Sequence, residues 1–321
     1  MKFRTEVNIP KWPFTIDHSL TIVSLGSCFA NNIAAYLSRR KFRVISSPTG
    51  ILFNPASIAN AVDMILDSRT IRSNELIECD GVYLHHDFHS SISGYSPESA
   101  IANMQSAIDR AYKALHDADY LILTLGTAWV YKLANTGHIV ANCHKQPASM
   151  FRREMLSIDE IVASLERIIS RSNARIILTL SPIRHISDGL EDNSLSKALL
   201  RVAIDDVCRR HSNVYYFPSY EILLDDLRDY RFYGDDLVHP STSAIEYIAE
   251  KFLDAAISPA TRQRMQLIES VMRGVEHRPN NPQSEAYKEF CRRMLRTIEE
   301  MEHIDFCEEK LHFERMLQIN L

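Results

Sequence analysis

Residues 20–30 read Leu20-Thr21-Ile22-Val23-Ser24-Leu25-Gly26-Ser27-Cys28-Phe29-Ala30, and the change of pattern within them is the strongest structural signal in the chain. An apolar, β-branched run stops at Gly26, and from Phe29 apolar residues recur at helical spacing. The stretch therefore predicts a buried strand, a sharp turn and a helix. A Ser or Cys in such a turn stands where open α/β sheets bind ligands, at the end of a strand and the start of a helix. The same residue types also serve as plain helix caps.

The alternation of strand and helix continues along the chain. Four further apolar runs predict strands at 43–46, 120–125, 175–181 and 213–217. Helical spacing of apolar residues predicts helices near 55–65, 98–116, 158–168, 194–210, 219–228 and 241–252. Five apolar strands alternating with helices predict an α/β protein, whose central five-stranded sheet is mostly parallel and covered on both faces.

Two segments interrupt the alternation of strands and helices, and the alternation ends before the C-terminal part of the chain. Residues 76–97 are predicted to form an inserted hairpin or loop with two short extended pieces. Residues 129–150 are predicted to be an irregular, strand-like inserted region that borders the mouth of the site. From 258 onward the pattern is helical throughout. We therefore expect a domain over 1–257 and a C-terminal helical extension over 258–321. An apolar stripe in the extension is expected to pack on the body or on a second copy of the chain, which would make a homo-oligomer.

Composition excludes several classes of protein. The formal net charge of the 321 residues is −5 and the signs are scattered, which argues against a nucleic-acid-binding surface. No secretory signal or membrane-length apolar run is present, so we expect a cytoplasmic protein with no membrane partner. The six cysteines form no CxxC pair, and we expect reduced thiols without a disulfide framework or a zinc ribbon.

Gly26-Ser27-Cys28-Phe29-Ala30 spells the motif of the GSCFA family, which resembles the SGNH/GDSL-type hydrolases. That superfamily places a nucleophile after the first strand, a glycine after the second, Gly-x-Asn after the third and Asp-x-x-His near the end of the domain. Here Gly50, Gly126 and the segment Asp236-Leu237-Val238-His239 occupy the later three places, in the same order, over residues 20–255. The resemblance implies an SGNH-like (flavodoxin-like) three-layer fold and a hydrolase or acyltransferase activity.

The identity of the nucleophile follows from how the motif is aligned. With Gly26 on the glycine of Gly-Asp-Ser-Leu, Cys28 takes the place of the nucleophilic serine, and the resemblance favours the Cys28 thiol. His239 would then be the general base and Asp236 the residue that orients it. A slip of one residue makes Ser27 the nucleophile instead. We expect the helix N-terminus and the imidazole to lower the pKa of Cys28.

The resemblance also predicts the groups that stabilise the oxyanion, with one departure. Ala128 stands where the superfamily has its asparagine, so the side-chain donor is missing. The expected donors are the backbone N–H groups of Cys28 and Gly50, with the Gly126–Thr127 turn contributing the Thr127 hydroxyl. Losing one oxyanion donor typically costs about 100- to 1,000-fold in rate, which favours a thiolate and an activated acyl donor.

Four further residues are candidates for substrate binding, and each has a structural alternative. They are Asn54, His89, Arg184 and His185. The structural alternative for Asn54 is the cap of a helix, and the alternative for Arg184 is an ion pair. His89 and the neighbouring His85, His86 and Asp87 resemble a metal cluster, but an extended segment directs alternate side chains to opposite faces. We therefore expect no metal and no cofactor.

Together these features predict an acyl-transfer enzyme that works through an acyl-enzyme intermediate. With water as acceptor it is an esterase or thioesterase, and with a sugar hydroxyl it is an O-acyltransferase. The expected substrate is an acylated small molecule or glycan, such as a polysaccharide precursor. The alternative is a non-catalytic binding or scaffold protein that keeps the fold after losing the oxyanion asparagine.

Overall fold

The structure is a computed structural model, and it describes residues 4–318. The strands, in chain order, are β1 (Thr21–Gly26), β2 (Arg43–Ser46), β3 (Ile77–Cys79), β4 (Val82–Leu84), β5 (Tyr120–Leu125), β6 (Trp129–Leu133), β7 (Ile139–Val140), β8 (Phe151–Met155), β9 (Arg175–Leu180) and β10 (Val214–Phe217). The helices are α1 (Cys28–Arg39), α2 (Pro55–Leu66), α3 (Pro97–His116), α4 (Ile158–Ser170), α5 (Leu190–Arg210), α6 (Ser219–Glu221), α7 (Thr242–Ala256), α8 (Pro259–Glu276), α9 (Glu285–Glu299) and α10 (Cys307–Leu317).

The five strands predicted from apolar runs form one sheet. Its order is β10-β9-β5-β1-β2, and every neighbouring pair is parallel. This is the flavodoxin-like doubly wound order, in which the chain starts near the middle and winds outward in both directions. The predicted fold class is confirmed.

Helices cover both faces of this sheet, and the strands are apolar throughout for that reason. Successive residues of β1 point to opposite faces: Val23 and Leu25 join a core formed with α2, α4 and α5. Ile22 joins a second core formed with α1 and α7. The result is three layers with the sheet in the middle, as the sequence predicts.

The two inserted regions contain short antiparallel sheets. β3 and β4 form a hairpin within 76–97, which is one of the two predicted alternatives, and β7, β6 and β8 form a three-stranded antiparallel sheet. β8 lies beyond the predicted 129–150 segment because its sequence, Phe-Arg-Arg-Glu-Met, carries no apolar run. The helix predicted at 219–228 is a short α6 that widens into a π-helical turn over Ile222–Asp226.

The helices of the C-terminal extension pack around a small core of their own. Its members include Ile268 of α8, Met294 and Ile298 of α9 and Phe313 of α10. The apolar stripe predicted in the extension is therefore covered by the chain itself. An oligomer formed through these helices stays a prediction, as do the proposed domain limits.

Within residues 4–318, no helix is both long enough and apolar enough to cross a bilayer. All six cysteines are free thiols.

Gly26, at the end of β1 and next to the candidate site, lies directly against the backbone of β5. It pairs with Thr124 of β5, has a φ of +134°, and leaves no room for a Cβ, which would overlap the carbonyl oxygen of Thr124. The Ser27 N–H donates to that same oxygen at 3.1 Å. The Gly26 carbonyl accepts the N–H of Leu52 at 2.9 Å, so the loop after β2 is attached to this edge.

We predict that Gly26→Ala destabilises the fold by about 2–4 kcal/mol, because the new Cβ meets backbone at an unfavourable φ. The measurement is denaturant unfolding followed by far-ultraviolet circular dichroism. Gly137→Ala is the control, since Gly137 also has a positive φ of +73° but open space around it. An equal loss in both variants would show that the contact with Thr124 does not matter.

Candidate active site

The predicted nucleophiles lie at the carboxyl edge of the sheet, where β1 turns into α1. Cys28 is the first residue of α1 and is half-buried, whereas Ser27 is the N-cap and is only 1% exposed. The Ser27 hydroxyl is fully buried and has no hydrogen-bond partner among residues 4–318. Of the two residues, Cys28 is therefore the more exposed.

Asp236 and His239 form a fixed pair in the loop before α7. Asp236 Oδ2 accepts from His239 Nδ1 at 2.6 Å, and its Oδ1 accepts the backbone N–H groups of Val238 and His239 at 2.9 Å each. These backbone N–H groups, followed by the His239 ring, lower the pKa of Asp236 to about 2. The carboxylate is therefore ionised at any ordinary pH, and the Nε2 atom of His239 is left unpaired in the described structure.

Backbone hydrogen bonds within the loop hold its two ends together. The Gly234 N–H donates to the His239 carbonyl at 2.7 Å, and the Ser241 N–H donates to the Phe232 carbonyl at 2.8 Å. Leu237, at its tip, has a φ of +57°. Sequence reasoning placed Asp236 and His239 together by their spacing, and the structure brings their side chains into contact.

The pKa of the Cys28 thiol is shifted in the direction opposite to the one expected from the sequence. Burial raises the pKa of Cys28, and the backbone N–H at the start of α1 offsets this only in part. The expected lowering is wrong because the side chain packs against the core beneath α1. At neutral pH the resting thiol is therefore protonated.

Two of the expected oxyanion donors are already engaged. The Gly50 N–H donates to the Ser47 carbonyl at 2.8 Å. The Thr127 hydroxyl lies 3.2 Å from the Ser196 hydroxyl in the interior and accepts the Trp129 N–H at 3.1 Å. Neither group points a free donor at the site, which corrects both expectations. A turn closes around Gly50, and Thr127 is buried with its hydroxyl against Ser196 of α5.

The turns around the expected donors are joined to one another. The N–H groups of Gly126 and Thr127 both donate to the Phe53 carbonyl, at 2.7 and 3.0 Å. Gly50, with a φ of +90°, lies against the Cβ of His89, and the His89 N–H donates to the Thr49 carbonyl at 3.1 Å. His89 thus supports the Gly50 loop, a role that the sequence did not predict.

Asn54 and His185 both make defined contacts with neighbouring residues. Asn54 is buried, and its Oδ1 accepts the Ser57 N–H at 2.8 Å as the cap of α2, so the capping alternative describes it. The ring of His185 stands over Gly126 and meets Phe53 edge to face at 5.7 Å between ring centres. Burial, with the nearby charges of Lys197 and His239, lowers the pKa of His185 to about 4. Its imidazole is therefore neutral, and it lies in the wall of the site.

Lys197 of α5 is a residue that sequence reasoning missed. It is 2% exposed, and its Nζ donates to the carbonyls of Gly126 and Ser181, at 2.7 Å each. Lys197 thus links the residues that follow β5 and β9 through two hydrogen bonds. Burial lowers the pKa of Lys197 to about 7. The sequence does carry a sign that Lys197 is buried. Lys197 lies three residues before Leu200 and seven before Ile204, which places it on the apolar face of α5.

The histidine-rich segment forms a polar network. Asp87 is buried, accepts from His138 at 2.7 Å and lies 3.5 Å from Arg69, while His144 contacts the His85 carbonyl at 2.9 Å. Within the described part of the chain, no group of three or more His, Cys, Asp or Glu side chains is arranged to hold a metal ion. The network joins the 85–89 turn to the β6–β7 hairpin.

Comparison with known proteins identifies two families along the chain. The GSCFA family matches residues 21–252, and the GSCFA domain protein C-terminal domain matches residues 268–319. No curated protein matches the chain.

Two solved structures are similar. One is a carbohydrate esterase family 3 from Talaromyces cellulolyticus, with 10% identity over 78% of this chain and 99% of that one, at a TM-score of 0.34. The other is an acetyl esterase mutant with acetate ion, with 12% identity over 78% and 100% and a TM-score of 0.35.

We predict that the alkylation rate of Cys28 by iodoacetamide keeps rising above about pH 8.5, because burial raises its pKa. Mass spectrometry of the peptide containing Cys28 measures the rate at each pH. The urea-unfolded chain is the control, in which the same thiol has its ordinary pKa and the rate levels off earlier. A plateau near neutral pH in the folded protein would contradict the prediction.

Lys197 predicts a pH-dependent contribution to stability. Its pKa falls from 10.5 in the unfolded chain to about 7 in the fold, so between these values the unfolded chain binds more protons. The free energy of unfolding of the wild type, relative to Lys197→Met, is therefore expected to rise by about 2 kcal/mol from pH 7 to pH 9. Denaturant unfolding of both proteins tests this, and parallel pH profiles would refute it.

Proposed function

The chain belongs to the GSCFA family, and we propose that it is an acyl-transfer enzyme that forms an acyl-enzyme intermediate on Cys28. The observation that carries the proposal is the Asp236–His239 pair, with its 2.6 Å contact and its two backbone hydrogen bonds to the carboxylate. A carboxylate held in this way selects one tautomer of the imidazole, which is the requirement for a general base.

The pair assigns a role to each ring nitrogen of His239. Since Asp236 only accepts hydrogen bonds when ionised, Nδ1 carries the proton that it receives. In the neutral ring, Nε2 then holds the lone pair and accepts the thiol proton from Cys28. The positive imidazolium that forms is stabilised by the Asp236 carboxylate.

Burial supports Cys28 rather than Ser27 as the nucleophile. Ser27 is 1% exposed with a fully buried hydroxyl, whereas Cys28 is half-buried at the start of α1. Attack by Ser27 would require its side chain to leave the core. The thiol is also the better nucleophile where the predicted oxyanion donors are few.

In the proposed reaction, the Cys28 sulfur attacks the acyl carbon as His239 takes the thiol proton. A tetrahedral oxyanion forms beside the N-terminus of α1 and collapses, and His239 gives the proton to the departing oxygen or sulfur. The resulting thioester on Cys28 is then cleaved by water or by a sugar hydroxyl. The proton of that acceptor goes to His239 and from there to the departing Cys28 sulfur, which restores the resting thiol. Water makes the enzyme an esterase or thioesterase, and a hydroxyl acceptor makes it an O-acyltransferase.

The oxyanion site supports reactive acyl donors as substrates. The Gly50 N–H and the Thr127 hydroxyl are engaged, which leaves the N–H of Cys28 as the donor among those expected. A site with few donors gives less stabilisation to the tetrahedral intermediate. Thioesters and activated esters need less stabilisation than unactivated esters, so they suit this site better. Acylated glycans remain the proposed natural class.

We expect the wild type to be acetylated once by p-nitrophenyl acetate or an acetyl thioester, as measured by intact mass and peptide mapping. Cys28→Ala is expected to abolish the adduct, and His239→Gln and Asp236→Asn to slow its formation by about 100- to 10,000-fold. The adduct should be a thioester, which neutral hydroxylamine removes.

Two variants make this experiment specific. Cys208→Ala removes another half-buried thiol and should leave acetylation unchanged. If Ser27→Ala abolishes the adduct and Cys28→Ala does not, Ser27 is the nucleophile. If the wild type is not acetylated by either donor, the scaffold alternative replaces the enzyme.

A further inference from the structure

A groove in the C-terminal extension has a basic lining. It lies where α8 ends and α9 begins, and its volume is about 770 Å³, within the roughly 300–1,000 Å³ of ordinary ligand sites. Arg273 in the last turn of α8, and His277 and Arg278 directly after it, supply the basic side chains. No Asp or Glu among the described residues lines the groove, and the neighbouring Glu276 is paired with Arg39 at 2.5 Å. The groove is therefore positive, although the chain has a formal net charge of −5.

Neither arginine of this groove is paired with a carboxylate. Within residues 4–318, no carboxylate oxygen lies within 4.0 Å of a guanidinium nitrogen of Arg273 or Arg278. Both side chains are exposed, so each can turn toward a bound anion. Arg184, after β9, is a contrast, because its guanidinium lies over the Tyr233 ring at 5.3 Å from the ring centre and Asp229 lines the same pocket.

The opposite side of the groove is the start of α9. Ser284 is the N-cap of this 15-residue helix, and its hydroxyl accepts the Tyr287 N–H at 3.2 Å. The first N–H groups of a helix have no partner within the helix, and Ala286, in this first turn, lines the groove. Free N–H groups at a helix N-terminus favour an anion. The helix therefore adds hydrogen-bond donors to the charges of the two arginines.

These donors suit a phosphate group better than a carboxylate. A phosphate monoester carries about two negative charges and three terminal oxygens, so it can bind two guanidinium groups and a backbone N–H at once. A carboxylate has a single charge and would leave one arginine without a partner. We propose that this groove is a binding site for a phosphate group, held by Arg273 and Arg278 against the first turn of α9.

The groove has room for more than the phosphate group. Phe290 lines it, and the Phe290 ring stacks on that of Tyr287 at 5.8 Å between ring centres. Pro279 adds further apolar surface. A sugar or a nucleoside attached to the phosphate would lie against this apolar side. The bound species is therefore either free phosphate or a phosphorylated small molecule, and the two are distinguished below.

Calorimetric titration of the full-length protein tests the site with two pairs of ligands. The members of each pair differ by one phosphate group: glucose 1-phosphate with glucose, and AMP with adenosine. We expect the phosphorylated member of at least one pair to bind about 10-fold or more tightly than its counterpart, because only the phosphate makes charge-assisted hydrogen bonds. Inorganic phosphate, titrated in parallel, shows whether the site takes free phosphate or requires an ester.

Three variants make the titration specific. Arg273→Gln combined with Arg278→Gln should weaken binding by about 10- to 100-fold. Arg278→Gln alone should weaken it by about 10-fold, and it changes no helix because Arg278 follows the end of α8. Arg264→Gln is the matched control, since Arg264 is also exposed on α8 but does not line the groove. It should leave binding within about twofold of the wild type.

Three results would overturn the inference: no phosphate compound binds, the phosphate-free counterparts bind equally well, or the Arg278→Gln and double variants bind as the wild type does. The last result would assign the arginines a structural role, such as offsetting the partial negative charge at the end of α8. The inference does not depend on the proposed function, because the titration measures binding without any reaction at Cys28.

Discussion

The contact between Gly26 and the backbone of Thr124 is the constraint on which the site depends. The missing Cβ lets β1 end against β5, and the Ser27 N–H then reaches the Thr124 carbonyl. The loop after β2 joins the same edge through Leu52 and Phe53, which bond to the ends of β1 and β5. Cys28 therefore leaves the sheet at one defined position, within a framework of backbone hydrogen bonds.

Desolvation governs the chemistry at this edge. Burial raises the pKa of Cys28 and lowers those of Lys197 and His185, so each group favours its uncharged form. Asp236 is the exception, because it is exposed and accepts three hydrogen bonds. If His239 acts on Cys28 as proposed, the proton would move during attack, because the thiol is neutral at rest and the base is oriented by a permanent anion.

Buried polar atoms without partners are also found here. Ser27 Oγ, Thr49 Oγ1 and His185 Nε2 are all buried and have no hydrogen bond within the described residues. Each follows a different strand of the parallel sheet, at the same edge. Such atoms are costly in an interior, and each calls for a partner that the described residues do not supply.

Local pattern was enough to predict the five strands, their alternation with helices and the pairing of Asp236 with His239. It did not predict the raised pKa of Cys28, the engaged donors at Gly50 and Thr127 or the role of Lys197, which depend on tertiary contacts. The reason is physical: burial and hydrogen-bond competition depend on residues far apart in the chain, as when Lys197 meets the carbonyl of Gly126. A local pattern carries no information about such contacts.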